Sequence, residues 1–288
     1  MLVLDSISVL RSEIGRLRRS DAPIGFVPTM GYLHEGHLSL VRLAQERDAK
    51  VIASIFVNPT QFNDKKDFQA YPISLDRDFA MLRAAGVHAV FTPDAEMMYG
   101  SAQGPSASGS FQSLIDVERL SQRYEGASRP GHFRGVSTVV GMLFNLVQPD
   151  FAVFGEKDFQ QLRLIEQMVE DLKFNLQIVR GPLIREPDGL AMSSRNVRLS
   201  PTGRREALRL SRALYAALEL VKNGQRNSSE ICTAARAVLI AGDQVEPDYV
   251  EIIDGCSMDP IPQVAAPARM IITAIVEKVR LLDNMALA

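Results

Sequence analysis

The stretch Ile24-Gly25-Phe26-Val27-Pro28-Thr29-Met30-Gly31-Tyr32-Leu33-His34-Glu35-Gly36-His37, continued by Leu38-Ser39-Leu40-Val41-Arg42-Leu43-Ala44, decides how this chain is read. Its apolar opening has the length and bulk of a buried parallel strand. Leu33, Leu40, Leu43 and Ala44 then recur at near-helical spacing, so the segment reads as strand, glycine-bearing turn and helix start. The N–H groups that open a helix have no partner within it and lie at the positive end of its dipole, which suits a phosphate. Two imidazoles three residues apart share one face of that first turn. The reading is a nucleotide phosphate site with His34 and His37 aimed at charge that develops during reaction. A turn with two exposed histidines and no chemistry is the alternative. Zinc is disfavoured, because a zinc-protease helix needs His-Glu-x-x-His and here the histidines are three apart with a glycine between. Neither the dinucleotide fingerprint nor the Walker loop occurs at this turn.

Working outward, Ser6 to Ser20 reads as an amphipathic helix, with Ile7, Leu10, Ile14 and Leu17 on one face and its arginines on a solvated one. The central helix is expected to reach about Ala49. Val51 to Val57 forms the next buried strand, completing a right-handed βαβ unit. That strand ends at Asn58-Pro59-Thr60-Gln61-Phe62, beyond a carboxyl end where open α/β sheets collect ligands. Asn58 and Gln61 both donate and accept, which suits a hydroxy acid and equally an ordinary polar loop. A helix over Asp76 to Ala85 delivers a strand at Ala89 to Pro93.

Gly100 to Ser110 is small, polar and glycine-rich, and reads as a loop or lid. Arg129-Pro130-Gly131-His132 is a second glycine turn carrying cations and a histidine, with a helix from about Val136 to Val147. Phe151 to Gly155 repeats the strand-then-turn pattern and continues through Glu156-Lys157-Asp158 into a helix. Lys157 there could bridge phosphate oxygens or sit on the surface as an ordinary lysine. Leu176 to Val179 is the fifth strand. Ile184 to Asn196 breaks the alternation and carries Met192-Ser193-Ser194-Arg195, a composition that can wrap a triphosphate but is common in loops. Helices over Arg204–Val221 and Ser229–Ala241, with strands over Pro247–Ile253 and Met270–Val276, make a different pattern. The expectation is an α/β, Rossmann-like parallel sheet with helices on both faces over residues 1–182, and a smaller C-terminal α+β domain over 183–288.

Composition bounds the partners. Lys and Arg number 32 against 34 Asp and Glu, a net charge of -2, so no global basic field recruits nucleic acid. Cys232 and Cys256 are the only cysteines, too few for a disulfide scaffold and without metal-ligand spacing. No apolar run approaches the roughly 18 residues of a membrane span, and Met1-Leu2-Val3-Leu4-Asp5 lacks the features of a signal peptide. The expectation is a soluble, cytoplasmic protein.

Four motifs together, Pro28-Thr29-Met30-Gly31 with His34-Glu35-Gly36-His37, Phe56-Val57-Asn58-Pro59-Thr60-Gln61-Phe62, Phe154 to Gln161, and Asp188 to Asn196, closely resemble the pantoate–β-alanine ligase family. Their order and separations also fit, over nearly the whole chain. The resemblance implies ATP-dependent condensation of pantoate with β-alanine through a pantoyl adenylate, with Mg2+ accompanying ATP and no protein ligand assigned to the metal. Carried over by position, Met30, Gly31, Tyr32, Leu33, His34, Glu35, Gly36 and His37 line the ATP site, continued by Gly155, Glu156, Lys157 and Asp158. Ile184, Met192, Ser193, Ser194 and Arg195 close over adenosine and triphosphate. His34, His37, Lys157, Ser193, Ser194 and Arg195 carry the chemistry. Gln61 and Gln161, with Thr29 and Met30, hold pantoate, Gln61 also meets β-alanine, and Arg129 and His132 lie on a nearby loop. Asp78 is at most a neighbour of the metal. A homodimer and a C-terminal lid are implied too. Two features depart from the family pattern: Ile73 stands where an arginine is common, and Gly100 to Ser110 replaces a more apolar segment. A relative making a dinucleotide or CDP-linked product would keep the histidine turn without needing the two glutamines. A non-catalytic nucleotide sensor would need neither Lys157 nor the histidines.

Overall fold

The computed structural model describes residues 1–20, 22–100 and 111–288, so most of the Gly100–Ser110 stretch lies outside the described residues. By its internal contacts the chain divides into two compact units, Met1–Glu156 with Gln160–Pro182, and Leu183–Ala288 with Lys157–Phe159.

The first unit carries strands β1 (Leu2–Leu4), β2 (Ile24–Thr29), β3 (Lys50–Ile55), β4 (Ala89–Phe91), β5 (Phe151–Gly155) and β6 (Gln177–Gly181). Between them run α1 (Ile7–Arg18), α2 (Glu35–Gln45), α3 (Lys65–Gln69), α4 (Leu75–Ala84), α5 (Ala95–Tyr99), α6 (Glu118–Ser121), α7 (Glu125–Ser128), α8 (His132–Val147) and α9 (Phe159–Asp171). All pairings are parallel, in the order β1-β4-β3-β2-β5-β6. This is the expected Rossmann-like sheet. Alternation decides which helix covers which face. Val27, Val51, Ala53, Ile55, Val90, Val153 and Val179 bury against Leu40, Val41 and Ala44 of α2 and Leu82 of α4. Helices α1 and α8 pack with each other, and α8 also lies against β2.

Strand β2 is the topological switch, paired to β3 on one side and β5 on the other. Pro23 and Thr29 accept from Lys50 and Phe56, whereas Ile24 bonds to Asp150. The peptide groups of residues 24, 26 and 28 therefore face β5, whose pairing with β2 covers only Gly25 and Phe26. Proline has no N–H, so Pro28 leaves no stranded donor where the two strands part. A crevice at such a split is where open α/β sheets bind ligands.

The second unit is an antiparallel sheet β7-β8-β9 (Val245–Asp254, Ala268–Val276, Val279–Ala286) with α10 (Pro201–Lys222) and α11 (Ser228–Ile240). Leu210, Leu214, Ala217, Ile231 and Leu239 bury against Val250, Ile252, Met270 and Ile272. No helix among the described residues is long and apolar enough to cross a membrane.

Several boundaries differ from the sequence reading. The central helix ends at Gln45 rather than near Ala49, because Asp48 takes a left-handed conformation with φ 55. The helix expected from Val136 begins at His132, where Gly131 at φ 82 turns the chain into it. Strands β1 and β9 were not expected. Helix α8 also packs closely on the turn after β3: a Cβ on Gly135 would stand 2.6 Å from the Thr60 carbonyl oxygen and 2.8 Å from the Gln61 nitrogen. Gly135→Ala is expected to lower unfolding free energy by about 1–3 kcal/mol despite alanine's better helix propensity. Chemical denaturation should show this as a lower midpoint with an unchanged m-value.

Candidate active site

The loop leaving β2 is shaped by two left-handed residues in succession, Gly31 at φ 82 and Tyr32 at φ 49. Thr29 starts it, donating from Oγ1 to the Ser54 carbonyl at 2.7 Å and accepting from the Gly31 N–H at 3.1 Å. The turn then directs two N–H groups at one carboxylate. Asp78 Oδ2 accepts from Tyr32 at 2.7 Å and Oδ1 from Leu33 at 2.8 Å. Asp78 is fully buried in the first turn of α4. Arg77 adds a long ion pair to it at 3.8 Å and lies 5.1 Å over the Tyr32 ring. A Cβ on Gly31 would come within 3.0 Å of Asp78 Oδ2, so glycine serves both the backbone conformation and the close approach. The anion of this turn is thus the protein's own, and neither carboxylate oxygen is left as an obvious metal ligand.

Helix α2 starts immediately after, with His34 as its N-cap at φ -143. The His34 carbonyl accepts from His37 and Leu38, and among the described residues no acceptor engages the N–H groups of Glu35 and Gly36. Those two donors lie at the positive end of the helix. His37 Nδ1 accepts from the His34 N–H at 3.3 Å. In the neutral ring this places the proton on Nε2. The two imidazoles lie 4.1 Å apart between centroids, tilted by 45°, and both are partly exposed.

The loop after β3 is held from all sides. Asn58, 1% exposed, accepts through Oδ1 from Thr60 N, Thr60 Oγ1 and Tyr99 Oη at 3.2, 3.0 and 2.7 Å. Its Nδ2 donates to Gln61 Oε1 and the Gly135 carbonyl, each at 3.2 Å. Burial pushes the Tyr99 hydroxyl up to about 12, so it stays a donor. Gln61 Nε2 reaches Met30 Sδ at 2.8 Å, joining this loop to the first. The Gln61 carbonyl meets His132 Nδ1 at 2.8 Å and accepts from Arg129 Nη2 at 3.3 Å. Arg129 also pairs with buried Glu125 at 3.4 Å. Arg129 and His132, expected beside substrate, thus set the Gln61 backbone. The adjacent glutamines of α9 divide their work. Gln160 is buried and bonds to Glu125 N and the Leu120 and Arg123 carbonyls. Gln161 is partly exposed, and its amide makes no hydrogen bond among the described residues.

The remaining expected residues belong to the second unit or its border. Gly155 ends β5, and Glu156–Asp158 form a 3-10 turn. Lys157 Nζ pairs with Asp158 Oδ1 at 3.2 Å, a partly buried contact. Ile184 and Met192 are joined by a backbone bond at 3.0 Å, closing a hairpin with Gly189 at its tip at φ 96. Ser193 caps the following 3-10 turn, accepting from the Arg195 N–H at 3.2 Å, which leaves its hydroxyl proton free to donate outward. Asn196 ties that turn back to Glu186 and Ala191 at 2.7 and 3.0 Å. Lys157, Ser193, Arg195, Arg280 and Asp283 line one pocket. Asp283, 3% exposed, takes both Arg185 nitrogens at 2.6 and 3.0 Å; burial pushes its carboxyl up against the pull of Arg185. Sequence reasoning missed Asp78, Asp283 and Tyr99 as builders of these sites, since their partners are backbone groups or residues remote in sequence.

The model of one family, described as pantoate-beta-alanine ligase, matches residues 2–286. A pantothenate synthetase of Moorella thermoacetica is 45% identical over 287 residues, covering 100% of this chain and 99% of the relative. The crystal structure of pantothenate synthetase from Thermus thermophilus aligns with a TM-score of 0.92 and 42% identity, covering 100% of this chain and 99% of that one. A pantoate-beta-alanine ligase from Francisella tularensis, solved in complex with beta-gamma ATP and beta-alanine, aligns at 0.79 with 33% identity, covering 100% and 98%.

The Asp78 contacts have a measurable consequence. Asp78→Asn keeps the side chain's shape but removes its charge and one acceptor, setting an amide N–H against a backbone N–H. The expected loss is about 2–4 kcal/mol of unfolding free energy, the range for a charged hydrogen bond plus a stranded donor. Denaturant titration of the two proteins reads it directly.

Proposed function

Because the chain belongs to the pantoate-beta-alanine ligase family, it joins pantoate to β-alanine at the expense of ATP, and we propose that it does so through a pantoyl adenylate. A carboxylate and an amine barely react at neutral pH, so the carboxylate needs a leaving group. A pantoate carboxylate oxygen attacks the α-phosphorus, the bond to the bridging oxygen breaks, and pyrophosphate leaves with that electron pair. The β-alanine amine then attacks the acyl carbon, loses a proton, and AMP departs. Little covalent work falls to the protein beyond positioning and stabilising negative charge.

The observation that supports this reading is the donor set at the start of α2. The open N–H groups of Glu35 and Gly36 lie at one helix terminus, which the His34 and His37 rings flank. These donors take phosphoryl oxygens, where charge grows in the first step. Met30 through Leu33 form the wall of the nucleotide site. Lys157 and the Ser193, Ser194 and Arg195 groups serve the triphosphate, with Gly155, Glu156, Asp158, Ile184 and Met192 completing the nucleotide contacts. Gln61, fixed beside Met30, and Gln161, with its amide open, hold pantoate through its hydroxyls and carboxylate. MgATP is the nucleotide substrate; its metal neutralises phosphate charge. A cytoplasmic homodimer belongs to the same proposal and rests on the family resemblance.

Exchange of labelled pyrophosphate into ATP, with pantoate present and β-alanine absent, tests the intermediate. Exchange should depend on pantoate, and His37→Ala should lower it by about 100-fold or more, in the range of a lost transition-state donor, while ATP affinity changes only a few-fold. Condensation that proceeds without any such exchange would contradict the adenylate.

A further inference from the structure

Lys157–Phe159 lies in sequence between β5 and the body of α9, yet its contacts group it with the C-terminal unit. The reason is a short relay from the last two strands. Asn284 of β9 donates from Nδ2 to the Lys157 carbonyl at 3.0 Å. Its Oδ1 accepts from Arg269 Nη1 of β8 at 2.5 Å. The Arg269 guanidinium in turn lies 4.0 Å from the centroid of the Phe159 ring, a cation–π contact. The register fixes this geometry, since Arg269 stands opposite Ala286 and Asn284 opposite Ile271, making the two diagonal neighbours across the ladder. Asn284 is only 4% exposed, and its N–H donates to Asp283 Oδ1, the carboxylate that holds Arg185.

A buried asparagine in a strand is unfavourable unless its amide is used, and an apolar residue would serve the sheet as well. Here both ends of the amide are engaged, one of them on the peptide that carries Lys157. The turn Glu156–Asp158 is a single 3-10 turn of three residues, too short to hold its orientation by internal bonds alone. The ion pair of Lys157 with Asp158 at 3.2 Å joins neighbours on the same short turn, so it does not tie that turn to the rest of the fold. We propose that Asn284, braced by Arg269, is a positioning residue for the ligase reaction, setting the backbone from which Lys157 reaches the phosphates. This rests on the reading of Lys157 as a phosphate contact.

A double-mutant cycle tests it in the full-length enzyme, read by pantoate-dependent pyrophosphate–ATP exchange. Asn284→Asp keeps the volume and the acceptor for Arg269 but loses the donor to the Lys157 carbonyl. It should lower exchange about tenfold, the effect of one hydrogen bond, with the KM for β-alanine in the complete reaction unchanged. In a Lys157→Ala background the same change should cost less than about twofold, because the group it positions is gone. Asn284→Ala, which introduces no charge, runs through the same cycle so that poor folding of one variant does not decide the result; denaturation midpoints monitor both. Equal losses in the two backgrounds would mark Asn284 as merely structural and overturn the proposal. Should Lys157→Ala itself leave exchange intact, the phosphate reading of Lys157 fails, and this inference falls with it.

Discussion

The first unit's site depends on one buried carboxylate. Asp78 accepts the N–H groups of both Tyr32 and Leu33, and without it two donors would be stranded in a protein interior. The left-handed backbone at Tyr32 is disfavoured for a residue with a Cβ, and these two bonds are what offset it. The turn they fix sets the point and direction at which α2 begins. From that follow the exposure of the first helical N–H groups and the face on which His34 and His37 sit. A glycine turn alone could point the helix many ways; a clamped one points it in a single direction, which electrostatic catalysis requires.

A second clamp follows the same logic. Asn58, Tyr99, Gly135, Arg129 and His132 all bear on the Pro59–Gln61 turn, and bonds from Asn58, Arg129 and His132 end on its backbone or on Gln61. The outcome is a glutamine whose amide is held against Met30, at the end of the strand that splits from β5. Arg129 and His132, placed near the site by the family resemblance, both bond to the Gln61 carbonyl, and Arg129 also pairs with Glu125.

The sheet was legible because its central strands are continuous apolar runs punctuated by glycine and proline turns, as in β2, β3 and β5. Strand β1 spans three residues, too few for any periodicity to register. Strand β9 reads poorly because Asp283 and Asn284 interrupt it, and both are buried for reasons that lie elsewhere in the chain. Asp78 had no signature beyond an acid in a helix's first turn, since it serves backbone donors some 45 positions away. Nor can sequence say which of Gln160 and Gln161 faces inward; that is set by the rotation of α9 against Glu125 and Leu120. The departure at Ile73 falls on a residue 65% exposed, away from the packing that shapes these turns.

With both of its central amides bonded to Asp78, the loop after β2 should be rigid in the free protein. Site-resolved hydrogen exchange at the Tyr32 and Leu33 amides, without nucleotide, tests it most directly. Protection should be comparable to that of the amides paired between β2 and β3, because both donors are bonded to buried Asp78. Exchange at the rate of an exposed loop would contradict it, and would mean that the start of α2 is organised only when a ligand binds.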